Sequence, residues 1–345
     1  LTQIQIMPDE YWFGVRITGI PEIWTVAACT GDVIAIVPPR DGPGQRGTFD
    51  WSRAVGHEYV HTVTLDQTDN RVQHWFTEAC AVSQEPGGRE YETCQLLATA
   101  LNAAKLFDLN EINWAFVRPK NPQSRPLAYA QAHWMLEYII SRFGYSAVIE
   151  ILSSYRRGAG NEDAITAATG VSAEKFMAQF TKWAQVQVRD WGLEPVPANP
   201  TVEVALRNRD NVTDAELAEL IHQYPGHPEL LLLAAQHALA RSDPETARRA
   251  VLRYAAVRPV DLWPHRVLVE LALATQRLDE VIGSLEQLDR QDAHTGYWAN
   301  QLAKFYRVSG RYDVAAKAIT RALHREPYNA SYRELAATIA LQRSP

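Results

Sequence analysis

Five consecutive residues, His57-Glu58-Tyr59-Val60-His61, hold the side chains needed for hydrolysis assisted by a metal ion. The segment has no proline from Trp51 onward, so a helix is expected there. Positions four apart on a helix project from one face, which lets both imidazoles reach a single Zn²⁺ and puts Glu58 beside the water such an ion holds. A catalytic zinc needs a third protein ligand and an open position. The downstream candidates are Glu78, His74, Asp66 and Glu85. The longer pattern that continues with Gly at 64 and a third histidine at 67 is excluded, because Thr64 and Gln67 stand there.

The elements that must position these groups can be read from periodicity and breakers. Trp24 to Cys29 and Val33 to Val37 are rich in β-branched residues and read as strands, with Gly31-Asp32 as their hairpin turn. After a Pro- and Gly-rich loop at Pro38 to Gly47, the pattern turns helical. Helices are expected over Trp51 to Leu65, Trp75 to Gln84, Leu96 to Leu106, Tyr129 to Phe143, Ala147 to Tyr155 and Ser172 to Val188. Gly144 stands where a left-handed helix stop belongs, and Ser172 can cap the last helix.

At 345 residues the chain exceeds the ~150 of one typical domain. With 46% apolar and 21% charged residues it has the composition of a folded globular protein. The longest apolar stretch, Leu230 to Ala240, is broken by Gln236 and His237 and is too short to span a bilayer. Residues 1–195 carry 16 basic and 22 acidic side chains, and the remainder 18 of each. Neither half offers the basic surface that a phosphate backbone requires, which sets nucleic-acid binding aside. Cys29, Cys80 and Cys94 form no C-x-x-C pair. Cys80 and Cys94 could pair in an oxidising compartment, but buried free thiols are the expected state.

Gly192 to Pro200 holds three prolines in six residues and reads as an extended linker. Eight of the ten tryptophans precede it. Beyond it, units starting at Pro228, Leu262 and Gly296 align with a period of 34 residues. The third unit reads Leu302-Ala303, Tyr306, Gly310, Tyr312, Ala315-Ala316, Ile319, Ala322 and Pro327. These positions resemble the tetratricopeptide repeat, in which small and large apolar side chains interlock two helices. The expected organisation is an α+β domain over residues 1–191, a linker at 192–212 and an all-α solenoid at 213–345 closed by a helix from Ala330 to Leu341. The resemblance implies that Trp263, Arg266, Glu270, Tyr297, Asn300 and Lys304 line a concave groove suited to a protein partner.

Trp75-Phe76-Thr77-Glu78-Ala79-Cys80-Ala81 resembles the W-[LF]-x-E-G-x-A stretch of gluzincins, metallopeptidases whose third zinc ligand is that glutamate. By this resemblance Glu78 joins His57 and His61, and Ala79 replaces the usual glycine without removing a ligand. Pro126 through Gly144 looks like the segment in which a tyrosine opens a helix and donates its hydroxyl to the tetrahedral intermediate. Tyr129 takes that role by resemblance, with His133 one turn on as a secondary candidate. Residues 30 to 190 as a whole resemble the peptidase-MA-like family of the aminopeptidase N-like clan, whose members are frequently joined to tetratricopeptide repeats. That clan's aminopeptidases hold the substrate amine with a glutamate of a G-x-M-E-N strand, and Gly31 to Pro38 offers none. An endopeptidase acting on peptide or protein substrates is therefore implied, with a peptidase-like but catalytically silent scaffold as the competing reading.

Overall fold

The computed structural model describes residues 1–343. The last two residues of the expected solenoid, 344–345, lie outside the described part. A three-stranded sheet opens the chain in the order β1-β3-β2, where β1 is Gln3–Ile6, β2 Ala27–Cys29 and β3 Val33–Ile36. β1 runs parallel to β3 and β2 antiparallel, with Ala28 opposite Ala35. Gly31, at φ +84°, turns the hairpin. Between β1 and β2 lies α1 (Glu10–Thr18), capped by Asp9, whose carboxylate accepts from Trp12 N–H. Sequence reading missed both β1 and α1, because neither shows a sustained period. It also made β2 too long: Trp24 lies outside the strand and is exposed.

The helices that follow build the main core. They are α2 (Trp51–Gln67), α3 (His74–Ser83), α4 (Tyr91–Asn102), α5 (Glu111–Val117), α6 (Ser124–Phe143), α7 (Tyr145–Arg156), α8 (Asn161–Thr169) and α9 (Ala173–Asp190). Asp50 caps α2 by accepting from Arg53 N–H, and Ser172 caps α9 by accepting from Lys175 N–H. Every residue from Trp75 to Ala81 on α3 is buried, since α3 lies against α2, α5 and α6. Trp134, Tyr138, Phe176, Phe180, Trp183 and Trp191 stack around α6 and α9, which accounts for much of the aromatic bias of this half.

Three expectations need correction. Tyr129 does not open a helix: α6 starts at Ser124, and Pro126 is tolerated in its first turn, where no intrahelical N–H bond is lost. Gly144 does end α6 at a positive φ of 79°, but its ψ of 171° lies outside the left-handed helical well, so α7 begins at once. The linker is not extended throughout. Asn199 caps α10 (Pro200–Arg207) with Pro200 at its first turn, and a 3-10 turn follows at Arg209–Asn211.

The second half is a run of helices, α11 (Asp214–Gln223), α12 (Pro228–Ala240), α13 (Pro244–Val257), α14 (Trp263–Ala274), α15 (Leu278–Gln291), α16 (Tyr297–Val308), α17 (Tyr312–Arg325) and α18 (Ala330–Arg343). Each packs mainly on its neighbours in sequence, and α13, α15 and α17 begin at residues 244, 278 and 312, a spacing of 34. Small residues at the seams, Ala235, Ala238, Ala247, Ala299, Ala303, Ala315, Ala318 and Ala322, are fully buried and allow close approach. Of the residues expected in a groove, Arg266, Glu270, Tyr297 and Lys304 are exposed. Trp263 is half-buried and packs edge-on against Tyr254. Asn300 is buried and its Oδ1 makes no hydrogen bond, so it does not line an open surface. On α16 it sits beside Ala299 on the inward face. The helical run also packs back on the first half, with α17 against α2.

Candidate metal centre and cleft

α2 and α3 meet so that three ligand-type atoms converge. His57 Nε2 and His61 Nε2 are 3.2 Å apart, and Glu78 Oε2 lies 3.3 Å from the first and 3.5 Å from the second. Donors bound tetrahedrally at the usual zinc distances stand about 3.3 Å from one another. The triangle thus has the size of one face of such a polyhedron. His57, Glu58 and His61 also offer atoms within 4.8 Å of one another, but that grouping is looser than the one completed by Glu78.

The outer hydrogen bonds decide which lone pairs face inward. Glu85 Oε1 accepts from His57 Nδ1 at 2.7 Å, because a carboxylate can only accept. Thr64 Oγ1 donates to the carbonyl of His61, so it accepts from Thr77, and Thr77 Oγ1 is left to accept from His61 Nδ1 at 2.7 Å. With both protons on Nδ1, two Nε2 lone pairs and a carboxylate oxygen point at one another. Glu78 Oε2 is buried and makes no hydrogen bond of acceptable geometry. A cation resolves this convergence, and the residues present fit a divalent metal of zinc type.

Electrostatics agree. Burial pulls the His57 imidazole down, but the Glu78 and Glu85 carboxylates outweigh it and push it up to about 9. The site therefore takes a proton when no metal neutralises it. Burial raises Glu78, but the neighbouring His57, His61 and His74 rings more than reverse this and hold it far below the usual carboxylate range. Glu58 is buried at the inner face of α2, and burial raises it despite the attraction of His61 and His57. Tyr129 is pushed well above the ordinary phenol range, first by burial and then by the Glu78 and Glu58 charges, so its hydroxyl keeps its proton.

The alternative third ligands occupy other places. His74 Nε2 lies 3.1 Å from Glu78 Oε1, the oxygen not in the triangle, and its ring stacks on Phe116, which in turn meets Tyr129 edge-on. Glu85 holds His57 and is itself held by Arg53, whose Nε donates to Oε2 at 2.6 Å. Asp66 is exposed on the far part of α2. His133 is lowered by burial and lies 3.6 Å from Glu137, which binds Arg89 at 2.7 Å. Sequence reading missed the supporting roles of Thr77, Glu85 and Arg53. Thr77 stands next to Glu78, but its partner is 16 residues away.

These groups line a cleft of about 1330 Å³ that also holds Tyr129, His133 and the outer strand β2. β2 is the end strand of the sheet and no strand pairs with its outer edge, where the Cys29 N–H bonds the Glu58 carboxylate. Trp24, with Arg125 5.1 Å above its ring, forms part of the rim. His294, from the turn between α15 and α16, contributes to the wall. Among the described residues all three cysteines are free thiols, and Cys80 and Cys94 are buried. No described helix is long and apolar enough to cross a membrane. Comparison with curated proteins and with solved structures gave no match. Residues 43–186, the span that carries α2, α3 and α6, match the family model of the Peptidase MA superfamily.

Proposed function

We propose that the protein is a zinc-dependent peptidase of gluzincin type in which His57, His61 and Glu78 hold the metal. The observation that carries this reading is the mutual 3.2 to 3.5 Å convergence of two imidazole lone pairs and a buried carboxylate oxygen, with Glu58 on the next position of α2. When bound, zinc supplies Lewis acidity, polarising a carbonyl and bringing the acidity of water to ~7. Glu58 takes the proton of the attacking water and returns it to the departing amine, work worth ~10² to 10⁴ in rate. Tyr129, kept protonated by burial, donates its hydroxyl to the carbonyl oxygen as that atom gains charge.

Cleavage within a chain is the favoured mode. The strand segment Gly31 to Pro38 has no carboxylate beyond Asp32 to hold a free amine, and the outer edge of β2, which no other strand covers, lines the cleft where an extended backbone can pair. We read residues 1–191 as the peptidase unit and the hairpins beyond 212 as tetratricopeptide-type repeats. Their exposed Arg266, Glu270, Tyr297 and Lys304 offer a polypeptide partner an aromatic and both charge signs.

The test is a peptide-library digest by the purified full chain, with and without chelator, alongside metal analysis. About one zinc per chain and chelator-sensitive internal cleavage are expected. His57→Ala, His61→Ala and Glu78→Ala should each lose the metal. Retention of full zinc by Glu78→Ala with loss in His74→Ala would overturn the ligand set.

A further inference from the structure

The residues that follow α3 form a strap, 84–90, with two faces. Its inner face carries Glu85, the acceptor of His57 Nδ1 at 2.7 Å and the partner of Arg53. Its outer face lies on the turn that joins α15 to α16 in the helical run. Glu90 Oε1 meets His294 Nε2 at 2.9 Å, and the other ring nitrogen of His294 is buried without a hydrogen-bond partner. A Cβ on Gly87 would stand 2.6 Å from Ala293 Cβ, and one on Gly88 3.8 Å from the Gln291 Cα, so the strap is seated directly on this turn. Gly87, at φ +101°, adopts a backbone that other residues rarely take. Pro86 and Gly87, which also line the cleft, border a hollow of about 500 Å³ walled by α15, α16 and α17.

We propose that the helical run is a structural part of the metal site, with His294 as a positioning residue that acts through the strap. The inference rests on the metal-binding part of the reading above. Glu85 stands two residues past the end of α3 at Ser83; its N–H still bonds the Val82 carbonyl, and beyond it the chain is irregular until α4 begins at Tyr91. Its place beside His57 depends on that turn, on Arg53 and on how the rest of the strap is pinned. The pin comes from Ala293 and His294, some two hundred residues away in sequence. An outer partner of a ligating histidine fixes the ring and the tautomer, and its loss typically costs 10- to 100-fold in metal affinity. Loosening the pin should therefore cost part of that amount.

The experiment measures the zinc dissociation constant of the full chain by competition with a chelator, together with the thermal midpoint of each variant. Glu85→Ala should weaken zinc by about 10- to 100-fold, and His294→Ala and Glu90→Gln by about 3- to 10-fold. The exchanged pair Glu90→His with His294→Glu should recover most of the affinity. Ile339→Ala, in the buried seam of α18, is the control for general destabilisation and should lower the midpoint with zinc affinity unchanged. If His294→Ala and Glu90→Gln bind zinc within twofold of wild type while Glu85→Ala does not, the strap holds itself and the proposal falls. Equal loosening by Ile339→Ala would reduce the effect to stability and also defeat it. A wild-type chain that binds no zinc sinks the metal reading and this inference together. One that binds zinc without cleaving peptides sinks only the peptidase reading.

Discussion

At the scale of single residues, the proposed site separates ligation from proton transfer. Glu58→Gln keeps the size of the side chain and leaves His57, His61 and Glu78 untouched. We expect turnover to fall by ~10² or more with zinc still bound, measured as cleavage rate per metal. Tyr129→Phe removes one hydroxyl donor and should cost ~10² to 10³ in turnover. Unchanged turnover would reduce Tyr129 to packing against Phe116 and shift attention to His133. The proton on His57 makes a separate prediction. Its pKa is raised to about 9 from 6.5 in the metal-free fold, so between these values zinc must displace a proton. The zinc affinity should rise close to tenfold per pH unit from pH 7 and level off above about 9. The same shift stabilises the metal-free fold fully below about 6.5, and that contribution is lost as pH rises through about 9. A metal affinity independent of pH over this range would show that His57 carries no such proton.

At the scale of elements, the proposed ligand set depends on how α3 is seated. Trp75 on α3 donates its indole N–H to Asn161 Oδ1 at 2.9 Å, Tyr155 on α7 donates to the same oxygen at 2.8 Å, and Asn161 Nδ2 donates to the Leu109 carbonyl at 2.6 Å. One buried amide at the start of α8 therefore ties α3, α7 and the segment before α5 together. Asn161→Ala strands three buried polar groups and should lower stability by about 3 kcal/mol or more in denaturant unfolding. A loss below about 1 kcal/mol would mean that water replaces the amide. Thr77→Val tests the α2–α3 contact itself. It removes the acceptor of His61 Nδ1 and should weaken zinc about tenfold with little change in fold, read by chelator competition.

At the scale of the whole molecule, the helical run and the first half share a continuous contact. It passes from α17 on α2, through the strap at 87–90, to Tyr91, whose hydroxyl meets that of Tyr254, and to Gly192. A Cβ at Gly192 would stand 1.9 Å from the Val257 carbonyl oxygen, and its φ of +70° already disfavours other residues. Gly192→Val should thus lower stability by about 2 kcal/mol or more and loosen the two halves, detectable as a lower midpoint and faster proteolysis between residues 191 and 213. An unchanged midpoint would mean that the halves touch without supporting each other.

The sequence by itself determined that His57 and His61 share one face of a helix, because a spacing of four on an uninterrupted segment leaves little choice. It also determined the 34-residue rhythm of the second half, since small residues recur wherever two helices must approach closely. It did not reach β1, α1 or α10, which are too short for periodicity to mark, and it read three prolines as excluding a helix that Pro200 in fact begins. Which third group meets the two imidazoles was open between Glu78, Glu85, His74 and Asp66 on spacing alone. Only the packing of α3 against α2 turned Glu78 inward and Asp66 outward. The burial of Asn300 and the seating of the strap on His294 likewise belong to the tertiary structure alone, because they join parts of the chain whose distance in sequence leaves no local signal.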